Sequence, residues 1–425
     1  MDMRPGYKQT EVGEIPEDWD AVSLGSIGES LIGLTYSPAD VRSSGTLVLR
    51  SSNIQNDALA FEDNVFVKKE IPERIMVQPG DVLICVRNGS RNLIGKAALL
   101  DERTDGMTFG AFMAVFRSKI GALVNYHFQS EILKRQINEH LGATINQITN
   151  KSLNSFMIPL PRDPNEQSAI AEALSDVDYA IEGLLCLIAK KRDLHTGAMQ
   201  RLLSGQTRLP GFTALWQEKR LGELGRFLKG SGVPRGEALS GEIPCIRYGE
   251  IYTTHHNVVR KFTSRISRAV ASNATRVQFR DLLFAASGET KEEIGKCVAL
   301  TTDDEAYAGG DIIILRPDDG NPVYLGYLMN IPQIARQKAN RGQGDAVVHI
   351  SAKALAAIEV LLPDEREQEA IAEVLSDMDS EIAALEAKLA KTRDIKQAMM
   401  QALLTGRVRL PVSAVETCEP EAAHA

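Results

Sequence analysis

The run in this 425-residue chain that comes nearest to nucleotide chemistry is Gly-Ser-Arg-Asn-Leu-Ile-Gly-Lys-Ala at positions 89–97. A phosphate-binding P-loop needs four residues between its glycines and a Ser or Thr after the lysine, because backbone amides cradle the phosphates and the hydroxyl holds the metal. Here five residues separate Gly89 from Gly95, Ala97 follows Lys96, and the matching run from Gly288 to Gly295 has six. Both runs read as strand–turn–strand elements instead. Arg87, Asn88, Ser90 and Arg91 nevertheless gather donors suited to phosphates or to guanine and adenine edges. A denser basic stretch with interleaved aromatics comprises Arg235, Arg247, Tyr248, His255, His256, Arg260, Lys261, Arg265 and Arg268. Facing DNA and being solvated loop residues are the competing readings of such a cluster. Arg50, Asn53, Lys96 and Lys291 complete the candidates around the turns, and Arg341 lies in a basic helix end followed by glycines, where phosphate contact and helix capping fit equally. The pair His255-His256 lacks further ligands nearby, which favours a polar loop over a metal site.

Other catalytic arrangements are missing. No glycine-rich dinucleotide fingerprint follows a strand, no Asn-Pro-Pro-aromatic tetrapeptide is present to clamp a flipped base, and no carboxylate–lysine cluster resembles a nuclease centre. Cys85, Cys186, Cys245, Cys297 and Cys418 stand alone, as buried thiols do and as zinc or disulfide frameworks do not. Hydrophobic residues at 44% and charged residues at 24% suit a globular protein, and 425 residues exceed what one core organises. With no leader and no run of 18 apolar residues, a cytoplasmic protein without membrane contact is expected. The net charge of −8 argues against bulk electrostatic binding to nucleic acid, but residues 211–280 hold 12 Lys/Arg against 5 Asp/Glu. Residues 16–100 hold 8 against 11, so basic groups there would have to share one face.

The elements that must position these groups repeat. Residues 166–178, Glu-Gln-Ser-Ala-Ile-Ala-Glu-Ala-Leu-Ser-Asp-Val-Asp, return at 367–379 with ten of thirteen positions identical, displaced by 201. The same displacement relates Leu-Leu-Ser-Gly-Gln-Thr-Arg-Leu-Pro at 202–210 to Leu-Leu-Thr-Gly-Arg-Val-Arg-Leu-Pro at 403–411. A period this long denotes two domains sharing a terminal element, not a solenoid. Within each copy Ile170, Leu174, Val177, Ile181, Leu184 and Ile188, and then Ile371, Leu375, Met378, Ile382, Leu385 and Leu389, follow the 4-3 spacing of a coiled-coil seam. The seam turns polar at Lys191 and His195, and at Thr392 and Lys396. Prolines precede and Ser-Gly or Thr-Gly ends each segment, giving rods of about 60 Å. Residues 163–182 carry six acids and no base while 190–208 carry five bases and one acid, and the second copy has the same polarity. Opposite halves attract only if the two helices run antiparallel. Two unrelated solvated helices are the bland alternative, and Leu185, Leu187, Leu194 and Ile395 are either docking surface or core.

The intervening segments are cousins. Val-Leu-Arg-Ser-Ser-Asn-Ile at 48–54 answers Cys-Ile-Arg-Tyr-Gly-Glu-Ile at 245–251, and Asp81 with Ile-Gly-Lys at 94–96 answers Asp281 with Ile-Gly-Lys at 294–296. Between these shared positions the residues diverge, as they would in two modules reading different sequences from one scaffold. The opening at residues 7–19, the Glu-Gln-x-Ala-Ile-Ala-Glu-x-Leu-Ser-Asp helices and the Arg-Leu-Pro ends resemble the DNA-specificity subunit of type I restriction-modification enzymes, over residues 7–411.

The resemblance implies two tandem α/β (α+β) target recognition domains separated by two long antiparallel helices. The divisions are 1–161, an N-terminal segment and first recognition domain; 162–209, a spacer helix; 210–363, the second domain; 364–411, a second spacer helix; and 412–425, a disordered tail. It also implies that each domain reads half of a split sequence in double-stranded DNA. Catalysis would lie elsewhere: two modification (methyltransferase) subunits and two restriction (motor-nuclease) subunits are the implied partners. S-adenosylmethionine, ATP and Mg are expected on them, with no cofactor or metal on this chain. The rival readings are a stand-alone DNA methyltransferase or nuclease with a cryptic site such as Asp281 and Glu289, and a structural coiled-coil dimeriser.

Overall fold

A computed structural model of the protein describes residues 4–142, 146–344 and 347–411. The expected tail and Cys418 lie outside the described residues. The chain divides into two compact units, Met1–Leu184 with Lys388–Ala425, and Leu185–Ala387.

The first unit is organised by the apolar strand β2 (Val82–Cys85), which lies between β3 (Ala97–Leu99) and β4 (Met113–Arg117); β1 (Glu29–Ile32) completes the sheet on the far side of β4. All three pairings are antiparallel. The Val-Leu-Ile-Cys run is wholly buried because its alternate residues serve two layers. Val82 and Ile84 pack on the helices that carry Val124, Phe128 and Ile137, whereas Leu83 and Cys85 pack on Leu47, Leu49 and Phe109 of a second four-stranded sheet. In the second unit β7 (Leu282–Ala285) takes the same place in the five-stranded order β5 (Gly225–Lys229), β9 (Ile312–Pro317), β7, β8 (Cys297–Leu300), β6 (Asn257–Val259). Leu282 and Phe284 face Tyr324 and Leu325, while Leu283 and Ala285 face Ile246 and Ile251. The second sheets also correspond: Thr108–Phe109 runs parallel to Thr46–Leu49, and Ala306–Ala308 runs parallel to Ile243–Ile246. Each fully buried aliphatic or aromatic side chain contributes about 1.5–3 kcal/mol, so the recurrence of these positions suffices to recreate the frame.

Two long helices, α1 (Pro164–Leu203) and α2 (Glu365–Leu403), each give one half to each unit. Their starts are set by Asp163, whose carboxylate accepts from Asn165 N at 2.9 Å, and by Asp364, which accepts from Glu367 N at 3.0 Å. They stop before Gly205 and Gly406, which adopt φ of 73° and 66°, the left-handed conformation that glycine takes without a Cβ penalty. The repeated Glu-Gln pair has distinct tasks. Gln167 and Gln368 donate back to the carbonyls of Pro161 and Pro363, at 2.7 and 3.0 Å. Glu166 and Glu367 are buried and each receives a tryptophan and an arginine. In the first unit Trp19 Nε1 donates to Glu166 at 3.2 Å and Arg409 Nη2 at 2.7 Å; in the second, Trp216 Nε1 donates to Glu367 at 3.0 Å and Arg208 Nη2 at 2.6 Å. The start of one helix is thus bonded to the segment that follows the end of the other, which only antiparallel helices permit.

Inside each unit the charges agree. Lys396 Nζ lies 2.7 Å from Asp178 in the first unit; Lys191 Nζ lies 2.6 Å from Glu381, and Arg192 pairs with Glu386, in the second. The polar seam positions are occupied rather than wasted: Asp178 also accepts from Tyr126 at 2.9 Å, and the equivalent Asp379 accepts from Tyr327 and lies 3.2 Å from His195 Nε2. Along the seam Ile170, Leu174, Leu184, Ile188, Ile371, Leu375 and Leu389 are buried, while Val177, Ile181, Met378, Ile382 and Leu385 are half-buried. Leu185, Leu187, Leu194 and Ile395 are 43%, 39%, 52% and 45% exposed, which settles that they are surface and not core.

Removing the cation from a buried Glu–Arg pair leaves an uncompensated charge, at a cost of about 3–5 kcal/mol. Arg208→Met is therefore expected to lower the urea midpoint of unfolding, and Glu367→Gln added to it to recover at least half of the loss. Additive losses in the double variant would contradict this role.

Candidate nucleic-acid interface

The turn after β2 is built by Asn88. Its Oδ1 accepts from Ser90 N at 2.9 Å, closing the turn, and its Nδ2 donates to Ser51 Oγ at 3.2 Å, tying the turn to the segment that follows Arg50. Arg87, Ser90 and Arg91 are exposed on this turn. The Arg87 guanidinium sits 5.1 Å above the ring of Phe112, itself 59% exposed, and Arg91 Nη2 donates to Asn138 O at 3.0 Å. An arginine placed over an aromatic ring is held in position by the ring while its donors remain free to address a base or a phosphate. Arg50 pairs with Asp63 at 2.9 Å, and Lys96 is half-buried.

In the second unit a cleft of about 580 Å³ brings together Arg260, Lys261 and Arg265 with Thr301, Thr302 and Asp304. Lys261 is exposed with no ion pair among the described residues, whereas Arg265 Nη1 donates to Glu242 O at 2.8 Å and Arg260 is anchored to Asp379 at 2.6 Å. Arg247 and Tyr248 begin a short helix, Tyr248–Thr253, with Tyr248 exposed. Arg268 is 81% exposed near Glu305, and Lys291 is exposed on the turn after β7. The side chain of Arg235 lies outside the described residues.

Two sequence-derived candidates are corrected, and a third is placed in one of its two readings. Asn53 is fully buried: its Oδ1 accepts from Arg50 N at 2.9 Å, and its Nδ2 donates to Ala60 O at 2.9 Å and Asn64 Oδ1 at 3.1 Å. Its oxygen and both amide hydrogens are engaged in holding a loop, as Glu250 holds one in the second unit through Arg247 N at 2.9 Å. His255 is 3% exposed, and burial lowers its pKa, so it is a neutral interior ring and not a DNA-facing cation. Arg341 donates to Gln337 O and Ala357 O, at 3.0 and 3.3 Å, and so acts as a helix cap, the alternative its position allowed.

The residues offered for other chemistry are also placed. Asp281 is fully buried and bonded to Arg316 at 2.8 and 2.7 Å, as Asp81 is to Arg117 at 2.9 and 2.7 Å. A carboxylate that recurs in the same bidentate pair in both units belongs to the frame. Burial pushes the thiols of Cys85, Cys245 and Cys297 up to about 11, 12 and 12, which removes them as nucleophiles. Among the described residues no group of three or more His, Cys, Asp or Glu could hold a metal, and no helix is long and apolar enough to cross a membrane. Sequence reasoning missed a charged cleft of about 1040 Å³ in the first unit, where Arg4, Arg135, Arg393 and Arg407 meet Glu14, Asp57, Glu131 and Glu139. It also missed Phe112 as the platform for Arg87. The first is assembled from four distant stretches of chain and had no local signal; the second was an isolated aromatic.

Comparison with known proteins gives one family twice. The family model described as type I restriction modification DNA specificity domain matches residues 16–185 and again 214–392. The chain is 31% identical over 172 residues to the type I restriction enzyme StySPI specificity subunit of Salmonella potsdam, covering 38% of this chain and 36% of that protein. It is 29% identical over 171 residues to the EcoKI specificity subunit of Escherichia coli, with the same coverage, so the alignments span little more than a third of both relatives. A putative type I restriction enzyme MjaX specificity subunit of Methanocaldococcus jannaschii is 24% identical over 95% of this chain and 97% of its own length. In fold, the chain resembles the crystal structure of a type I restriction-modification S subunit from M. genitalium, with a TM-score of 0.57 at 15% identity over 95% and 98% of the two chains. A chain from a structural study of complex assembly and conformational transition of the type I system gives 0.57 at 18% identity over 93% and 99%.

The reassignment of Asn53 is testable. Asn53→Ala strands a buried amide and two carbonyls, and is expected to lower stability by about 2 kcal/mol in denaturant titrations. An Asn53→Ala protein as stable as the parent, yet altered in nucleic-acid binding, would restore it as a contact residue.

Proposed function

The chain belongs to the family of type I restriction-modification DNA specificity proteins, and from that premise we propose that it reads a bipartite sequence in double-stranded DNA, one half with each unit. The observation that carries this reading is the recurrence of one frame with dissimilar exposed side chains. Asp81–Arg117 and Asp281–Arg316, and the strands β2 and β7, coincide, while the turns beyond them present Arg87, Asn88, Ser90 and Arg91 in one unit and Glu289, Thr290 and Lys291 in the other. A conserved support with exchanged tips gives two readers with different targets, because direct readout depends on a few donors and acceptors at base edges. The overall charge of −8 leaves affinity to local basic groups, including Lys261 and Arg265 in the second unit.

In this proposal the chain is not itself catalytic. It directs two modification subunits, which carry S-adenosylmethionine, and two restriction subunits, which carry ATP and Mg, within the cytoplasm. The apolar residues left exposed along the helices, Tyr179 and Ile395 in the first unit and Leu185, Leu187 and Leu194 in the second, support docking of the modification subunits there. The unspecified gap between half-sites is set by the number of residues in α1 and α2.

Removal of one heptad from each helix, residues 184–190 and 384–390, keeps the seam in phase and withdraws about 10 Å of rise, or about three base pairs. Co-expressed with a modification subunit and followed by long-read mapping of methylated motifs, this variant is expected to show both half-sites unchanged and a gap shorter by about three. Altered half-sites with an unaltered gap would refute it.

A further inference from the structure

Strands β2 and β7 end in the same backbone device. In the first unit Ile148 N donates to Val86 O at 2.8 Å, and this bond sets Arg87 opposite Gln147 in an antiparallel bridge. In the second, Ile350 N donates to Ala286 O at 3.0 Å and sets Ser287 opposite His349. The isoleucines Ile148 and Ile350 are buried in both units. The backbone is therefore common to the two units, and the two side chains it pairs are not.

The geometry points to these opposed residues, Arg87 with Gln147 and Ser287 with His349, as a base-reading pair in each unit, an inference that rests on the DNA-reading function proposed above. Arg87 is exposed on Phe112, and its fork matches the O6 and N7 acceptors of guanine. Gln147 makes no side-chain hydrogen bond to the described residues, which leaves an amide able to match the N6 and N7 of adenine. In the second unit Ser287 Oγ lies 3.0 Å from His349 Nδ1, so the ring has one nitrogen engaged by the protein and Nε2 without a partner among the described residues. Ser287 is buried and further fixed by Tyr252, whose hydroxyl donates to Ser287 O at 3.1 Å, while His349 is exposed. Its backbone is clamped on both sides, His349 N donating to Gln343 O at 2.7 Å and Gln343 N to His349 O at 2.9 Å. A ring held in this way offers a single contact, suited to one purine N7. The first unit thus carries two bidentate groups and the second one monodentate group. The first pair discriminates among all four base pairs, and the second reads purine against pyrimidine.

The test uses the full chain co-expressed with a modification subunit, with R87A, R87K, Q147A and H349A compared by methylated-motif mapping and by competition binding to DNA with single-base changes. R87A and R87K are expected to relax a guanine position in one half-site, with at least a tenfold loss of discrimination at that base pair. H349A is expected to relax one purine position in the other half-site, by a smaller factor, and Q147A to act on the same half-site as R87A. Variants that methylate the unchanged motif at unchanged discrimination overturn the pair, as does affinity that falls equally for every sequence, the mark of a phosphate contact. R87K keeps the charge and guards against misfolding of R87A. Absence of any bipartite motif with the parent chain would instead sink the proposed function, and so is distinguishable.

Discussion

Two buried carboxylates govern the architecture. Glu166 and Glu367 sit in the first turns of α1 and α2, where the helix dipole favours a negative charge, and each is 3% exposed or less. A carboxylate in such a place persists only with a cation and hydrogen bonds, and both are supplied by residues remote in sequence: Arg409 and Trp19 for Glu166, Arg208 and Trp216 for Glu367. The cations stand on the Arg-Leu-Pro segments that follow the helices, and their guanidiniums lie 5.8 and 5.5 Å from the tryptophan rings. Each clamp therefore fixes a helix start, a helix exit and the first strand region of a recognition frame at one point. The direction in which the helices pair follows from these clamps before any seam residue is considered.

Pairing within the protein also decides which cations of this acidic chain are left for DNA. Several helix carboxylates are engaged within the protein: Asp178 by Lys396 and Tyr126, Asp379 by Arg260 and Tyr327, Glu381 by Lys191. An ion pair within the protein removes one charge of each sign and leaves the net charge unchanged. What remains for a partner is set by which cations are unpaired. On that criterion Arg87 and Lys261 differ from Arg260 and Arg50, although all four look alike in the sequence.

Much of the fold was legible because its signals are local and periodic. The 4-3 spacing, the flanking prolines, the Gly205 and Gly406 stops and the segregated charge all lie within one helix length, and together they gave antiparallel helices. The Trp–Glu–Arg clamps were not legible, since Trp19 and Arg409 stand 390 positions apart in the chain and nothing local marks them as partners. The site was read less well for a related reason. A donor in a loop looks the same whether it addresses solvent or its own backbone: Asn53 and Arg341 turned out to be loop and helix caps, and His255 an interior ring. Conversely, His349 carries no motif, and its place opposite Ser287 became visible only in the strand register.

The most direct test of the central claim is a disulfide trap between the helices, in a chain whose exposed Cys186 is replaced by serine. With antiparallel pairing, Lys191 faces Glu381, at 2.6 Å between charged groups, and K191C with E381C is expected to oxidise rapidly to an intramolecular cross-link on a non-reducing gel. The parallel-register pair K191C with T392C is expected to stay reduced. Cross-linking of the second pair and not the first would show the helices running in the same direction, and the clamps, and with them the account of two readers on one repeated frame, would fall.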